Sequence, residues 1–292
     1  MESTNDRKLR HLRILEADRD TDRKKYYFDS IRLVHRALPE VNLKDIDPSV
    51  TFMGKTLSFP LLISSMTGGD HAVIKKINHN LAVAAEATQV AMGVGSQRVM
   101  FSNPEARASF EIRQQAPTTL LFANLGAVQL NYGFDAAMCR SAIEAVGADA
   151  LYLHLNPLQE AVQPSGNTNF AGLAEKIKTV TAQMQKPVVL KEVGAGFGAE
   201  DVKLILGCGI RHIDVAGCGG TSWSRIEHYS LSESERSNLG MTFQDWGIPT
   251  PRALLDLQPY RDQLTLIASG GIRSGIDMVK AMALGASLCG LA

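Results

Sequence analysis

From residue 60 onward, short apolar runs rich in β-formers recur along the chain. They are Pro60 to Ser65, Val90 to Gly95, Leu120 to Leu125, Ala150 to Asn156, Pro187 to Val193, His212 to Ala216, Leu264 to Ser269 and Ala286 to Ala292. Between most of them apolar positions fall at helical period, as at Ile74, Ile77, Leu81, Ala84 and Ala85, or at Ile276, Val279 and Ala283 behind Ser274 as a helix cap. Strands alternating with helices predict a parallel sheet, because parallel neighbours need a crossover. The runs are nearly continuous in apolar residues, which predicts burial on both faces. Eight such strands in order favour an α/β fold, a single-domain (β/α)8 TIM barrel, over a doubly wound open sheet. The eighth strand is the last element, so the final C-terminal helix expected to return over it is missing.

Residues 1–50 predict a charged N-terminal lead-in with short helices, and residues 51–292 the barrel. Arg7, Lys8, Arg10, His11 and Arg13 lie in a helix-compatible stretch, where Arg7 and His11 (i,i+4) and Lys8 and His11 (i,i+3) share one face. Phe28 to Pro39, with Ile31, Leu33, Val34 and Leu38, predicts a short amphipathic helix stopped by the proline. Residues 218–248 are rich in Gly, Ser and Glu without clear period and predict a long loop of the kind that forms lids.

Composition narrows the function. Thirty Lys+Arg balance thirty Asp+Glu among 292 residues, which argues against a nucleic-acid binder. No stretch approaches the roughly 18 apolar residues of a membrane span, and the mixed charges of residues 1–25 are unlike a secretory leader. Cys139, Cys208, Cys218 and Cys289 have no metal-binding spacing and read as reduced thiols of a cytoplasmic protein.

In a barrel the chemistry sits where each strand's C-terminal end meets its loop. Those ends read Ser64-Ser65-Met66-Thr67-Gly68-Gly69, Gly95-Ser96-Gln97-Arg98, Asn124-Leu125-Gly126, His154 to Glu160, Lys191-Glu192, Gly217 to Ser222, and Gly270-Gly271-Ile272-Arg273. Polar or ionic groups stand at every one. Gly270 to Arg273 ahead of a helix predicts a phosphate site, since glycine allows close backbone approach and the helix start attracts anions. Lys191 shares a face with Val189 and Val193, so its ammonium points into the barrel and needs an anionic ligand or an acid beside it; a structural ion pair and a Schiff base are the other readings. Ser64 to Thr67 reads equally as a helix cap, Arg98 as a surface charge, and Glu160 as a solvated helix-start residue or a ligand of Mg²⁺. Trp223 and Trp246 read as packing anchors.

Taken together, these strings resemble the type 2 isopentenyl-diphosphate delta-isomerases, which are FMN-dependent (β/α)8 barrels. The resemblance rests on Arg7-Lys8 with His11, Met66-Thr67-Gly68-Gly69, Gly95 to Arg98, Asn124-Leu125-Gly126, His154-Leu155-Asn156-Pro157-Leu158-Gln159-Glu160, Leu190 to Gly194, Ala216 to Trp223, and Ala268 to Arg273; Phe28 to Glu40 is also similar. It implies that Ser65, Met66, Thr67, Ser96, Asn124, Lys191 and Thr221 line the FMN ring and ribityl chain, with Gly271, Ile272, Arg273 and Ala292 at its phosphate. Arg7, Lys8, Ser96, Gln97 and Arg98 would hold the substrate diphosphate, supported by His11, His154 and Asn156. Gln159 would face the reacting end, Lys191 would favour the anionic reduced flavin, and Glu160 would bind Mg²⁺. The implied reaction interconverts isopentenyl and dimethylallyl diphosphate on reduced FMN, with NADPH serving only to reduce it, in a homo-oligomer (tetramer or octamer). An FMN-dependent oxidoreductase of the 2-hydroxy-acid oxidase type, or a non-catalytic FMN- or phosphate-binding relative, are the alternatives.

Overall fold

The computed structural model describes residues 4–66, 68–232 and 237–292, with side chains inside the first helix from Lys8 onward. A hairpin comes first among the strands: β1 (Val50–Phe52) pairs antiparallel with β2 (Lys55–Leu57), Val50 opposite Leu57. Met53 and Gly54 at its turn both have positive φ, +48° and +76°, the twist that tight hairpins require. Eight strands then close into a parallel barrel: β3 (Leu61–Ile63), β4 (Ala91–Gly93), β5 (Leu121–Gly126), β6 (Ala150–Leu155), β7 (Val188–Glu192), β8 (His212–Asp214), β9 (Thr265–Ser269) and β10 (Ala286–Leu291). Seven of the eight fall inside a run anticipated from the sequence, and β5 overruns its own by one residue, Gly126. β10 pairs with both β9 and β3, Cys289 opposite Leu61, so strand pairing itself completes the ring.

The helices are α1 (Thr4–Ala17), α2 (Ala72–Thr88), α3 (Ala136–Val146), α4 (Pro157–Val162), α5 (Leu173–Thr181), α6 (Ala199–Ile205), α7 (Trp223–Ser230), α8 (Leu239–Thr242), α9 (Thr250–Leu257) and α10 (Gly275–Ala283). Most of the barrel helices cover the outside of the sheet. Between β4 and β5 two 3-10 turns, Gln97–Phe101 and Pro104–Ser109, take the place of a helix. Ser274 caps α10 by accepting from the Asp277 N–H, while Asp277 reaches back to the Ser274 N–H.

Two cores result from strand alternation. Outward residues pack under the helices. Inward residues Leu62, Ala91, Phe122, Tyr152, Val189, Ile267 and Leu288 fill the barrel, with Leu120 and Ala150 nearer the hairpin. Phe52 and Leu57 of the hairpin join this inner cluster and plug the N-terminal end, and the Phe122 and Tyr152 rings stack at 4.6 Å.

Three expectations need correction. Phe28 to Pro39 is not a helix: a 3-10 turn spans Tyr27–Ser30, and the chain then runs irregularly along the surface. Phe28 is the buried anchor, whereas Val34 (92 % exposed) and Leu38 (70 %) face solvent, so among the described residues nothing covers them as a helix face would require. Residues 218–248 are not a plain loop, for they hold α7 and α8. Finally, α10 turns Met278 and Ala281 toward the barrel and leaves Ile276 and Val279 about half exposed, the opposite of the face the sequence suggested.

Candidate active site

Along five of the strands, the inward face changes from apolar to polar two positions further on. Ser64 follows Leu62, Asn124 follows Phe122, His154 follows Tyr152, Lys191 follows Val189 and Ser269 follows Ile267. These groups form the base of a cleft of about 300 Å³ at the C-terminal mouth. Glycines make room for the serines: a Cβ on Gly93 would stand 2.4 Å from Ser65 Oγ, and one on Gly290 2.5 Å from Ser64 Oγ. Met66, Ser96 and Thr221 line the same cleft.

Lys191 is buried and paired. Its Nζ lies 2.9 Å from Asp214 Oδ2 and donates to Ser269 Oγ at 3.3 Å. An acid beside the lysine was among the readings, although Asp214 was not named, and the pair occupies directly opposed positions on β7 and β8. Beside it, His154 Nδ1 is 2.7 Å from Asn124 Oδ1. Burial, with the nearby cations Lys8 and Lys191, pushes the His154 imidazole down to about 3, so the ring is neutral near pH 7.

At the other end of the cleft two glycine turns meet backbone to backbone. Gly270 and Gly271 have φ of +97° and +76°; a Cβ on Gly270 would sit 2.1 Å from Gly217 O, and one on Gly271 3.0 Å from Gly219 C. Glycine is therefore required twice over, by conformation and by space. Ile272 and Ala292 line this end. Arg273 is held by Asp22 and by the carbonyls of Gly219 (2.9 Å) and Gly271 (3.0 Å), with its guanidinium over the Tyr26 ring.

The roof comes from α1 and α7. Lys8 reaches the cleft, and Trp223, expected only as an anchor, lines it too; Trp246 is largely exposed. Ser222 caps α7, whose buried face is Ser224, Ile226, Glu227 and Ser230. Gln159 lines the cleft held at both ends, its Oε1 accepting from Asn156 Nδ2 at 2.9 Å and its Nε2 donating to Glu227 Oε1 at 2.6 Å. His11, buried, lies 3.5 Å from Glu227 and edge-on to Trp223. Asn156 stands behind Gln159 and also donates to Glu160 Oε1 at 3.0 Å, while Glu160 Oε2 accepts from the Asn167 N–H at 2.6 Å.

Not every candidate meets the cleft. The Gln97 side chain points away, into the layer beneath α3, donating to Ala142 O at 2.9 Å and accepting from the Asn124 N–H at 2.9 Å. A carboxamide satisfying two backbone groups in an apolar layer cannot also hold a diphosphate, so its expected side-chain role is withdrawn. Arg98 is exposed and donates to Asn167 Oδ1 at 3.0 Å. Thr67 and the Arg7 side chain lie outside the described residues. Among those described, no cluster of three or more His, Cys, Asp or Glu offers a ready-made metal site.

Sequence reasoning missed Asp214, Ser269, Glu227, Asp22 and the cleft position of Trp223. Asp214 had a signal, for it is a charged residue inside an apolar strand run, as Lys191 is. Glu192 faces outward, and its Oε2 accepts from the N–H groups of Val193, Gly194, Ala195 and Gly196, fixing the loop that borders the cleft; burial nevertheless raises this carboxyl to about 7.

The family model for FMN-dependent dehydrogenase matches residues 15–153 and 155–292. The isopentenyl-diphosphate delta-isomerase of Paracoccus zeaxanthinifaciens is 56 % identical over 98 % of this chain and 83 % of its own length. That of Hydrogenovibrio crunogenus is 52 % identical with the same coverage. Among solved structures, mandelate oxidase with benzoyl-formic acid superposes with a TM-score of 0.61 at 20 % identity, covering 92 % of this chain and 74 % of that one. A flavocytochrome b2 mutant gives 0.61 at 17 %, covering 94 % and 67 %. At those identities the likeness speaks for the barrel alone. The chain belongs to the FMN-dependent dehydrogenase family and, within it, to the isopentenyl-diphosphate delta-isomerases.

Proposed function

We propose that this chain is an FMN-dependent isomerase that converts isopentenyl diphosphate to dimethylallyl diphosphate at the barrel mouth. The observation that carries the reading is 56 % identity to an isopentenyl-diphosphate delta-isomerase across nearly the whole chain. Two features of the mouth fit FMN. The buried hydroxyls Ser64 Oγ and Ser65 Oγ make no hydrogen bond within the protein, and the two glycine turns pack backbone to backbone with no side chain between them, leaving main chain at the wall of the cleft. Ser65, Met66, Thr67, Ser96, Asn124, Lys191 and Thr221 would hold the ring and ribityl chain, and Gly271, Ile272, Arg273 and Ala292 the phosphate. Bound and reduced, FMN supplies an electron-rich ring with exchangeable N–H groups.

The residues of the chain do the rest. An alkene has no polar handle, so binding energy must come from the diphosphate and be used at the double bond. Lys8, with Arg7 and Arg98, supplies cationic charge for that group, and Ser96 a hydroxyl. Neutral His154 gives a hydrogen bond without a positive charge that would oppose a developing tertiary cation. Trp223 offers that cation a π face. Gln159, fixed between Asn156 and Glu227, holds its amide still at the reacting end.

Magnesium fits as a partner of the substrate. Glu160 and the buried Asn156 Oδ1, which has no hydrogen bond, are oxygen donors of the kind Mg²⁺ takes, with diphosphate oxygens completing the shell. The reaction is redox-neutral, so NADPH would serve only to bring FMN to its reduced form. The same reading takes the enzyme as a cytoplasmic homo-oligomer; among the described residues no helix is long and apolar enough to cross a membrane. The test is an anaerobic assay of the purified chain with isopentenyl diphosphate, FMN, dithionite and Mg²⁺. Dimethylallyl diphosphate should form with all components, fall sharply without Mg²⁺ and vanish with oxidised FMN. No allylic product in the complete mixture overturns the proposal.

A further inference from the structure

Lys191 and Asp214 stand opposed on neighbouring strands with their charged ends inside the barrel, yet only the lysine reaches the cleft. Asp214 is fully enclosed and does not line the cleft. Its carboxylate is saturated: Oδ1 accepts from Ser269 Oγ at 2.5 Å and from the Ala216 N–H at 3.2 Å, and Oδ2 meets Lys191 Nζ at 2.9 Å and Tyr152 OH at 3.5 Å. Every donor around it is fixed on a strand, or, for Ala216, on the turn leaving one. Ser269 bridges, since its hydroxyl donates to Asp214 and accepts from Lys191.

An ammonium has three donors. Two are taken by Asp214 and Ser269, which leaves one for the cleft that Lys191 lines. A flexible four-carbon stem seldom holds one geometry by itself. A buried cation also needs a partner to stay where it is. We infer that Asp214 is a positioning residue: with Ser269 it aims the Lys191 ammonium at the bound flavin, so that the positive end of a buried ion pair faces the ring. The inference rests on the FMN reading above and adds to it what sets the preference of the mouth for the reduced, anionic cofactor.

The experiment is a double-mutant cycle read in the midpoint potential of bound FMN, with FMN affinity and melting temperature measured alongside. Lys191→Met lowers the potential by removing the charge. Asp214→Asn alone lowers it as well, because the ammonium is no longer held toward the ring. The expected size is a tenfold loss of preference for reduced over oxidised FMN, about 30 mV for a two-electron couple. In the Lys191→Met background, Asp214→Asn has no further effect on the potential, since its route is gone. Ser269→Ala keeps both charges and shifts the potential in the same direction by less, and it supplies the answer should Asp214→Asn not fold. A residue that is merely structural would lower the melting temperature and leave the potential of bound FMN unchanged; that result, a rise in potential, or full additivity in the cycle overturns the inference. A wild-type chain that takes up no flavin would overturn the cofactor reading and this inference with it, whereas flavin bound at an unchanged potential in both Asp214→Asn and Ser269→Ala overturns the inference alone.

Discussion

The two ends of the barrel interior are built by the same strands and have opposite chemistry. At the hairpin end Phe52, Leu57, Leu62 and Phe122 pack as one apolar layer, with the His212 ring against Phe52 as its polar exception. Two residues along, Ser64, Asn124, His154, Lys191 and Ser269 crowd the mouth with donors and acceptors. One pleat separates a layer that holds the fold from a layer that lines the cleft. The hairpin lets the polar layer exist, because a plugged lower end supplies apolar burial that the mouth gives up.

The largest effect that would break this contrast comes from the packed layer. Phe122→Ala removes a fully buried ring and should cost about 3–5 kcal/mol in urea unfolding, while the folded fraction keeps its FMN affinity. A loss of FMN affinity in the folded fraction would mean that the layers are coupled. Next comes Gln159→Ala, expected to lower turnover about a hundredfold, close to 2.7 kcal/mol, with flavin retained. Loss of the flavin spectrum instead would move Gln159 from the substrate to the cofactor. Gly271→Ala forces a side chain into left-handed backbone at the phosphate end, a strain of about 1–2 kcal/mol that should appear chiefly as weaker FMN binding. Equal FMN affinity would remove that turn from the site.

A further effect is in pH. His154 resists protonation in the folded chain down to about 3, whereas an unfolded chain takes up the proton near 6.5. Its contribution to stability is therefore complete above about 6.5 and declines as the pH falls from there toward 3. Chemical denaturation at pH 7 and pH 5 should show His154→Gln losing less stability on acidification than the parent chain. Equal losses would mean that the ring is not kept neutral by its surroundings.

How much of this was legible follows from where burial is symmetric. The eight barrel strands could be read because both faces are covered, so apolar runs mark them directly. The strand-end groups followed from the same runs, and Lys191 stood out as a charge among Val, Leu and Val. Asp214 carried an equal signal in a shorter strand and was passed over. Helix α7 was hidden for a physical reason: its buried face is Ser224, Ile226, Glu227 and Ser230, so a hydrophobic period never forms. The opposite error occurred at Leu33, Val34 and Leu38, where the period is present and these residues lie exposed. Gln97 was placed by its motif, but its direction depends on packing under α3 that strand spacing does not reveal.

The most direct test is a structure of the chain crystallised anaerobically with FMN and isopentenyl diphosphate. The account predicts the isoalloxazine ring in contact with Lys191, the FMN phosphate at the Gly270–Arg273 turn, and the diphosphate within reach of Lys8. A flavin lodged anywhere else, or a Lys191 turned wholly toward Asp214 and out of contact with the ring, would contradict it.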